Sequence, residues 1–162
     1  MAALGSPRAL NLIGESYYYG RGLPQDRSEG EYWFKLSFEA GNWRGLLNYG
    51  KALFYRRDLD AAARVFAAGV RERWGPAYYW TARIVANRPG PLRARLKRAM
   101  PWLVRASKMG SPKGRLTLHA LTMLGCYGRR RRKRGRKLWD ETYSAIHAQA
   151  AAGLPAAVRD RR

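Results

Sequence analysis

GSPRALNLIGESYYYGRG (Gly5–Gly22) returns 105 residues downstream as GSPKGRLTLHALTMLGCYGR (Gly110–Arg129). Looser versions of its opening lie between, at Gly41-Asn42-Trp43-Arg44-Gly45 and at Gly75-Pro76-Ala77-Tyr78-Tyr79, so the junctions step by 36, 34 and 35 residues. A fixed period of this size marks one supersecondary unit stacked on copies of itself, each covering an apolar face its neighbour cannot bury alone. A fifth junction, Gly153-Leu154-Pro155-Ala156-Ala157, follows Gly110 by 43 residues. The last unit is therefore longer, and the insertion is a basic run.

Each unit reads as two helices. In the first, Ala9, Ile13, Gly14 and Tyr17 fall on one face at helical spacing, and YYYGRGLPQD then breaks the pattern with Gly20, Gly22 and Pro24. Asp26 is placed to cap the next helix, with Glu29 three positions on. Trp33, Phe34, Ser37 and Ala40 then form a stripe that Gly41 ends. Asp58 and Phe66 repeat this design in the second unit, and Ala99, Trp102, Leu103 and Ala106 run to Gly110 in the third. Small residues at Gly14 and Gly50 let paired helices approach closely, and Ile84 and His119 hold that place by count in units three and four. The expectation is one all-α domain over 1–162, a short α-α solenoid of about four helix-turn-helix repeats. The repeats fall at 5–40, 41–74, 75–109 and 110–152, with the basic insertion at 129–137 and a tail at 153–162.

The pattern small-xxx-Leu/Ile-Gly-xx-Tyr-xx-Gly-x-Gly, then Asp, then aromatic-xxx-small-xxx-Gly, resembles Sel1-like repeats, a branch of the tetratricopeptide (TPR)-type α-solenoids. Unit one carries it through Ala9, Ile13, Gly14, Tyr17, Gly20, Gly22, Asp26, Trp33 and Gly41. The later units keep parts: Gly45, Gly50, Asp58 and Phe66; then Trp102, Ala106 and Gly110; then Gly114, Leu118 and Gly125. The resemblance spans roughly residues 5–157 and implies a non-catalytic scaffold that binds other proteins, often along a concave face. Some secreted members pair cysteines in each repeat, and this chain, with Cys126 alone, departs from them.

Charge sets the second theme. Lys and Arg number 32 against 11 Asp and Glu, a formal net charge of +21 with a pI near 11.2. Residues 1–72 carry 10 basic and 8 acidic side chains, whereas residues 73–162 carry 22 and 3. GC-rich coding would account for Arg outnumbering Lys, but not for basic outnumbering acidic. Such a surface seeks anionic partners.

The densest stretch, CYGRRRRKRGRKLW, holds Arg129, Arg130, Arg131, Arg132, Lys133, Arg134, Arg136 and Lys137, with only Gly135 interrupting. By repeat register it is the loop between the two helices of unit four, where Asp140 and Glu141 open the last helix. The equivalent loop of unit three, ANRPGPLRARLKR, supplies Arg88, Arg93, Arg95, Lys97 and Arg98. Equivalent loops of stacked units emerge on one edge about 10 Å apart, so the two are expected to form one polyanion-binding patch, near Trp102 and Trp139 in sequence. No zinc-finger spacing, RNP-type aromatic signature or strand-flanked Gly-x-x-Gly loop is present, so any RNA or DNA binding is expected to be directed at the backbone.

Three consecutive tyrosines, Tyr17–Tyr19, step about 100° apiece around a helix and span more than a core stripe can hold. The same holds for Tyr78, Tyr79 and Trp80. With Tyr17 and Tyr79 assigned to the core, Tyr18, Tyr19, Tyr78 and Trp80 are expected as partner contacts. His119 and His147 have no ligand set around them, and Cys126, beside the basic loop, reads as an inert free thiol. No metal or other cofactor is expected, and no catalytic residue. The absence of an apolar run near membrane length, the lack of a signal-peptide pattern and the single cysteine lead to the expectation of a cytoplasmic protein with no membrane span. The functional expectation is a scaffold that docks an acidic protein partner, with backbone-directed nucleic-acid binding, as in a ribosome or another ribonucleoprotein, as the alternative.

Overall fold

A computed structural model describes residues 6–123, and these are helical throughout apart from short turns. The run 129–137, with Cys126, Trp139, Asp140, Glu141 and His147, lies outside the described residues. Helices α1 (Pro7–Tyr19), α2 (Arg27–Glu39), α3 (Trp43–Tyr55), α4 (Leu59–Arg71), α5 (Gly75–Asn87), α6 (Leu92–Lys108) and α7 (Pro112–Met123) follow one another in antiparallel pairs. The described part is thus an all-α stack of helical hairpins in the manner of a short α-solenoid: three complete hairpins and the first helix of a fourth.

Side-chain caps set most of the boundaries. Ser6 accepts a hydrogen bond from the N–H of Ala9, Asp26 accepts from Ser28 and Glu29 at 2.9 and 3.0 Å, Asn42 from Arg44, and Asp58 from Ala61. Each satisfies helix-start donors that would otherwise have no partner. Ser111 acts in the same way on Gly114. At α5 and α6 the capping places are held by Trp74 and Pro91, which make no such bond.

Those caps correct the register of unit three. The residue just before the caps of α3, α5 and α7 adopts a left-handed backbone, with φ of 84° at Gly41, 55° at Arg73 and 76° at Gly110. Arg73, not Gly75, is therefore the counterpart of the two glycines, and unit three begins two residues earlier than glycine counting places it. The tight inter-helix position follows suit. It is Ala82, 1% exposed, that matches Gly14 and Gly50, while Ile84 is an ordinary core residue. His119 does hold the place in α7, and it is buried.

The core repeats this geometry. An ideal Cβ on Gly14 would stand 2.6 Å from Phe34, and one on Gly50 2.5 Å from Phe66, so each aromatic ring occupies the space the missing side chain leaves. Ala82 clusters with Ala99, Met100 and Leu103 in the third hairpin. The second-helix stripes hold at Phe34, Ser37, Ala99, Leu103 and Ala106, all buried, whereas Ala40 is exposed and Trp33 and Trp102 are half-buried. In α1 the buried residues are Leu10, Asn11 and Gly14, and Ile13 faces solvent. Apolarity misassigns this face because its central residue is polar: Asn11 is 1% exposed and bonded to Glu15 at 2.8 Å and to Asn48 at 2.9 Å.

First helices also touch one another, α1 with α3, α3 with α5 and α5 with α7, and among the described residues they do so more closely than α2, α4 and α6 do. The stack therefore has a tighter layer, α1-α3-α5-α7, and a looser one, α2-α4-α6.

Candidate binding surfaces

Two surfaces emerge, one in each layer. In the first-helix layer, Asn11, Glu15 and Asn48 form a polar ladder from α1 to α3, and Lys51 reaches its Asn48 end. Beside it a cleft of about 340 Å³ is lined by Tyr18, Tyr19, Gln25, Arg27, Lys51 and Tyr55 over a floor of Phe34 and Ala52. Tyr19 and Tyr55 are 46% and 58% exposed. Arg21 and Arg27 lie 5.1 and 6.0 Å from the rings of Tyr19 and Tyr18. Burial raises the pKa of the Tyr18 phenol, and the nearby Arg27 guanidinium opposes this. The phenol thus stays a neutral hydrogen-bonding group against the cations.

The next turn along continues the same chemistry. Phe54, Phe66 and Trp80 pack into one aromatic block, with the rings of Phe66 and Trp80 parallel within 4° and 5.8 Å apart. Arg83 caps it, 4.7 Å from the Phe54 ring and 4.4 Å from that of Trp80. A guanidinium over aromatic faces keeps its charge toward solvent while its plane is covered.

Two of the four expected contact aromatics move inward. Trp80 is 5% exposed and belongs to the core, because α5 turns it onto the face that meets α4. Tyr78 is half-buried, donating its hydroxyl hydrogen bond to the Val70 carbonyl at 3.2 Å with its ring against Trp102. The two-residue register shift puts Tyr78 at the place of buried Leu10 and Leu46, whereas Trp80 is drawn in by the rings of Phe54 and Phe66. Tyr18 and Tyr19 do line a cleft, and Tyr17 and Tyr79 are half-buried. Tyr55 was missed, since a lone tyrosine at a helix end carries no sequence signal comparable to a triplet.

The basic segment of unit three is also rearranged. Only Arg88–Pro91 is a connection; Arg93, Arg95, Lys97 and Arg98 lie on α6, which is 17 residues long where the other complete helices have 13. Counted back from its C-terminus, α6 has gained one turn, Leu92–Arg95, at its start. Arg88 is engaged by Asp60 of α4, Arg98 donates to the Pro89 carbonyl at 3.2 Å, and Arg95 is half-buried with its Nε enclosed and unbonded. The five are thus not one loop patch, and their expected junction with 129–137 lies outside the described residues.

Instead, Arg93, Lys97, Arg98, Arg105 and Lys108 occupy the solvent side of α6, and none of them forms an ion pair among the described residues. Arg105 and Lys108 were missed because they fall beyond the basic run, on the helix expected to end at Gly110. Their spacing of three and four from helical neighbours was the available signal. No carboxylate occurs between Glu72 and Asp140 to offset them. In the first two hairpins Arg56, at the end of α3, pairs with Glu31 of α2 at 3.1 Å. Burial raises the Glu31 carboxyl pKa, and Arg56 pulls the other way.

Among the described residues no group of three or more His, Cys, Asp or Glu could hold a metal ion, and no helix is long and apolar enough to cross a membrane. Compared with models of known protein families and with curated proteins, the chain gives no match.

Proposed function

We propose that the protein is a non-catalytic binding scaffold of Sel1-like hairpins that docks an acidic protein partner on its first-helix layer. The observation that carries this reading is the cleft between α1 and α3, where exposed Tyr19 and Tyr55 stand beside Arg27 and Lys51. Tyrosine supplies large contact area at little conformational cost, and flanking cations select a segment bearing Asp or Glu. Phe34 and Ala52, both buried, close the cleft from beneath, so the contact area comes from the tyrosine rings.

A photo-crosslinking phenylalanine analogue in place of Tyr55 tests the proposal in the source cells. The expected product is a covalent adduct to a protein through an acidic segment, lost when Lys51→Glu and Arg27→Glu are added. Adducts to nucleic acid alone, or protein adducts that survive both charge reversals, would overturn it.

A further inference from the structure

The solvent face of α6 has a different character from the tyrosine cleft. Arg93, Lys97, Arg98, Arg105 and Lys108 fall within about 140° of the helix circumference at 3.6 residues per turn. From Arg93 to Lys108 the ridge runs about 22 Å at 1.5 Å per residue. At its far end α7 begins with Lys113 and Arg115, both exposed, after only a short turn. Eleven cations and no carboxylate lie from Arg73 to Met123, and among the described residues only Arg88 of these has an ionic partner.

We propose that this ridge, α6 with the start of α7, is a docking surface for the phosphodiester backbone of a single-stranded nucleic acid. A protein interface needs apolar or aromatic anchors at its centre, ringed by polar groups. Here the centre is Lys97, Pro101 and Arg105, and the aromatic ring of the same helix, Trp102, is half-buried and covered by Arg105 at 5.6 Å. What the ridge offers is a line of donors with unspent charge. A phosphate chain answers that pattern through bidentate guanidinium contacts and release of its condensed counterions. The extra turn Leu92–Arg95 lengthens the line, and the uncapped α6 N-terminus adds the positive end of a helix dipole to it. Base reading is absent from the ridge, so binding follows the backbone and not the sequence.

The test uses the full chain and fluorescein-labelled 20-nucleotide RNA and DNA of one mixed sequence, with affinity followed by anisotropy from 50 to 300 mM salt. Replacing Arg93, Lys97, Arg105 and Lys108 by Gln is expected to flatten the slope of log affinity against log salt by about 3, at about 0.7 per single-strand phosphate contact. RNA and DNA should lose affinity alike. A matched variant, Arg8, Arg44, Arg57 and Arg64 to Gln, removes four exposed cations from the first two hairpins and should flatten the slope by less than 1. Equal flattening by both variants, or no change in the ridge variant, would overturn the proposal. So would displacement of the RNA by poly-glutamate at equal charge concentration, since the ridge would then be a general acidic-protein site. The first-helix cleft is untouched by these substitutions, so the Tyr55 crosslink reports on the scaffold reading separately. An unchanged circular-dichroism melt is expected for both variants, because all eight positions are exposed.

Discussion

The first two hairpins and the third share one packing plan and differ in almost everything around it. In α1–α4, carboxylates serve twice: Asp26 and Asp58 cap helices, while Glu31 and Asp60 hold arginines. From α5 to α7 no carboxylate remains, two helices start without a side-chain cap, and the left-handed junction falls on Arg73 in place of glycine. Each missing cap forgoes about 1 kcal/mol, and an arginine at positive φ costs about 1 more. The missing caps and the left-handed arginine lower local stability, the last of these shared with Arg57 in the second hairpin, while the loss of carboxylates leaves the positive charge unbalanced.

The sharpest way to break the comparison is in the cores. Phe66→Ala should cost about 4 kcal/mol in urea unfolding, since its ring is fully buried between Gly50 and Trp80. Leu103→Ala, its counterpart in the third hairpin, should cost about 3. A larger loss at Leu103 would show that the basic hairpin holds the stack together.

Next come the two forms of the tight position. Gly50→Ala would put a Cβ 2.5 Å from the Phe66 ring and should destabilise by about 2 kcal/mol. Ala82→Gly should cost about 1, through backbone entropy and a lost methyl. If thermal melts found Gly50→Ala neutral, Phe66 would have room to yield and the ring would not be what sets the helix spacing.

Arg73→Gly should stabilise by about 1 kcal/mol, and Gly110→Ala should cost a similar amount, because only glycine adopts that backbone freely. A destabilised Arg73→Gly would mean that the arginine side chain contributes more than its backbone strain removes.

The smallest effect separates the hairpins by pH. Burial holds the folded Glu31 carboxyl above its usual range, so the unfolded chain ionises first and stability falls as pH rises through the carboxylate range. Relative to Glu31→Gln, the unsubstituted protein should therefore gain stability as pH is lowered from 7 toward 4, read from urea midpoints. With no carboxylate between Glu72 and Asp140, the third hairpin contributes no such dependence. An opposite sign would mean that the Arg56 pair outweighs burial.

Much of this architecture could be read in advance, and the errors share one origin. Asp26, Asp58, Gly41, Gly110 and the Phe34 and Phe66 stripes were legible because capping and helical spacing act within a few residues. Unit three was misplaced by two because glycine was taken as the marker of the junction, and there the marker is a backbone angle carried by an arginine. Trp80 was taken for a contact and is core, while Asn11 is buried through partners 4 and 37 positions away.

The sequence by itself determined the all-helical repeat and the concentration of positive charge in its second half, because both follow from local periodicity and composition. Only the tertiary structure decided which cations stand free. Whether an arginine points to solvent, to Asp60 or into the helix interface depends on neighbours that the chain brings together from distant positions.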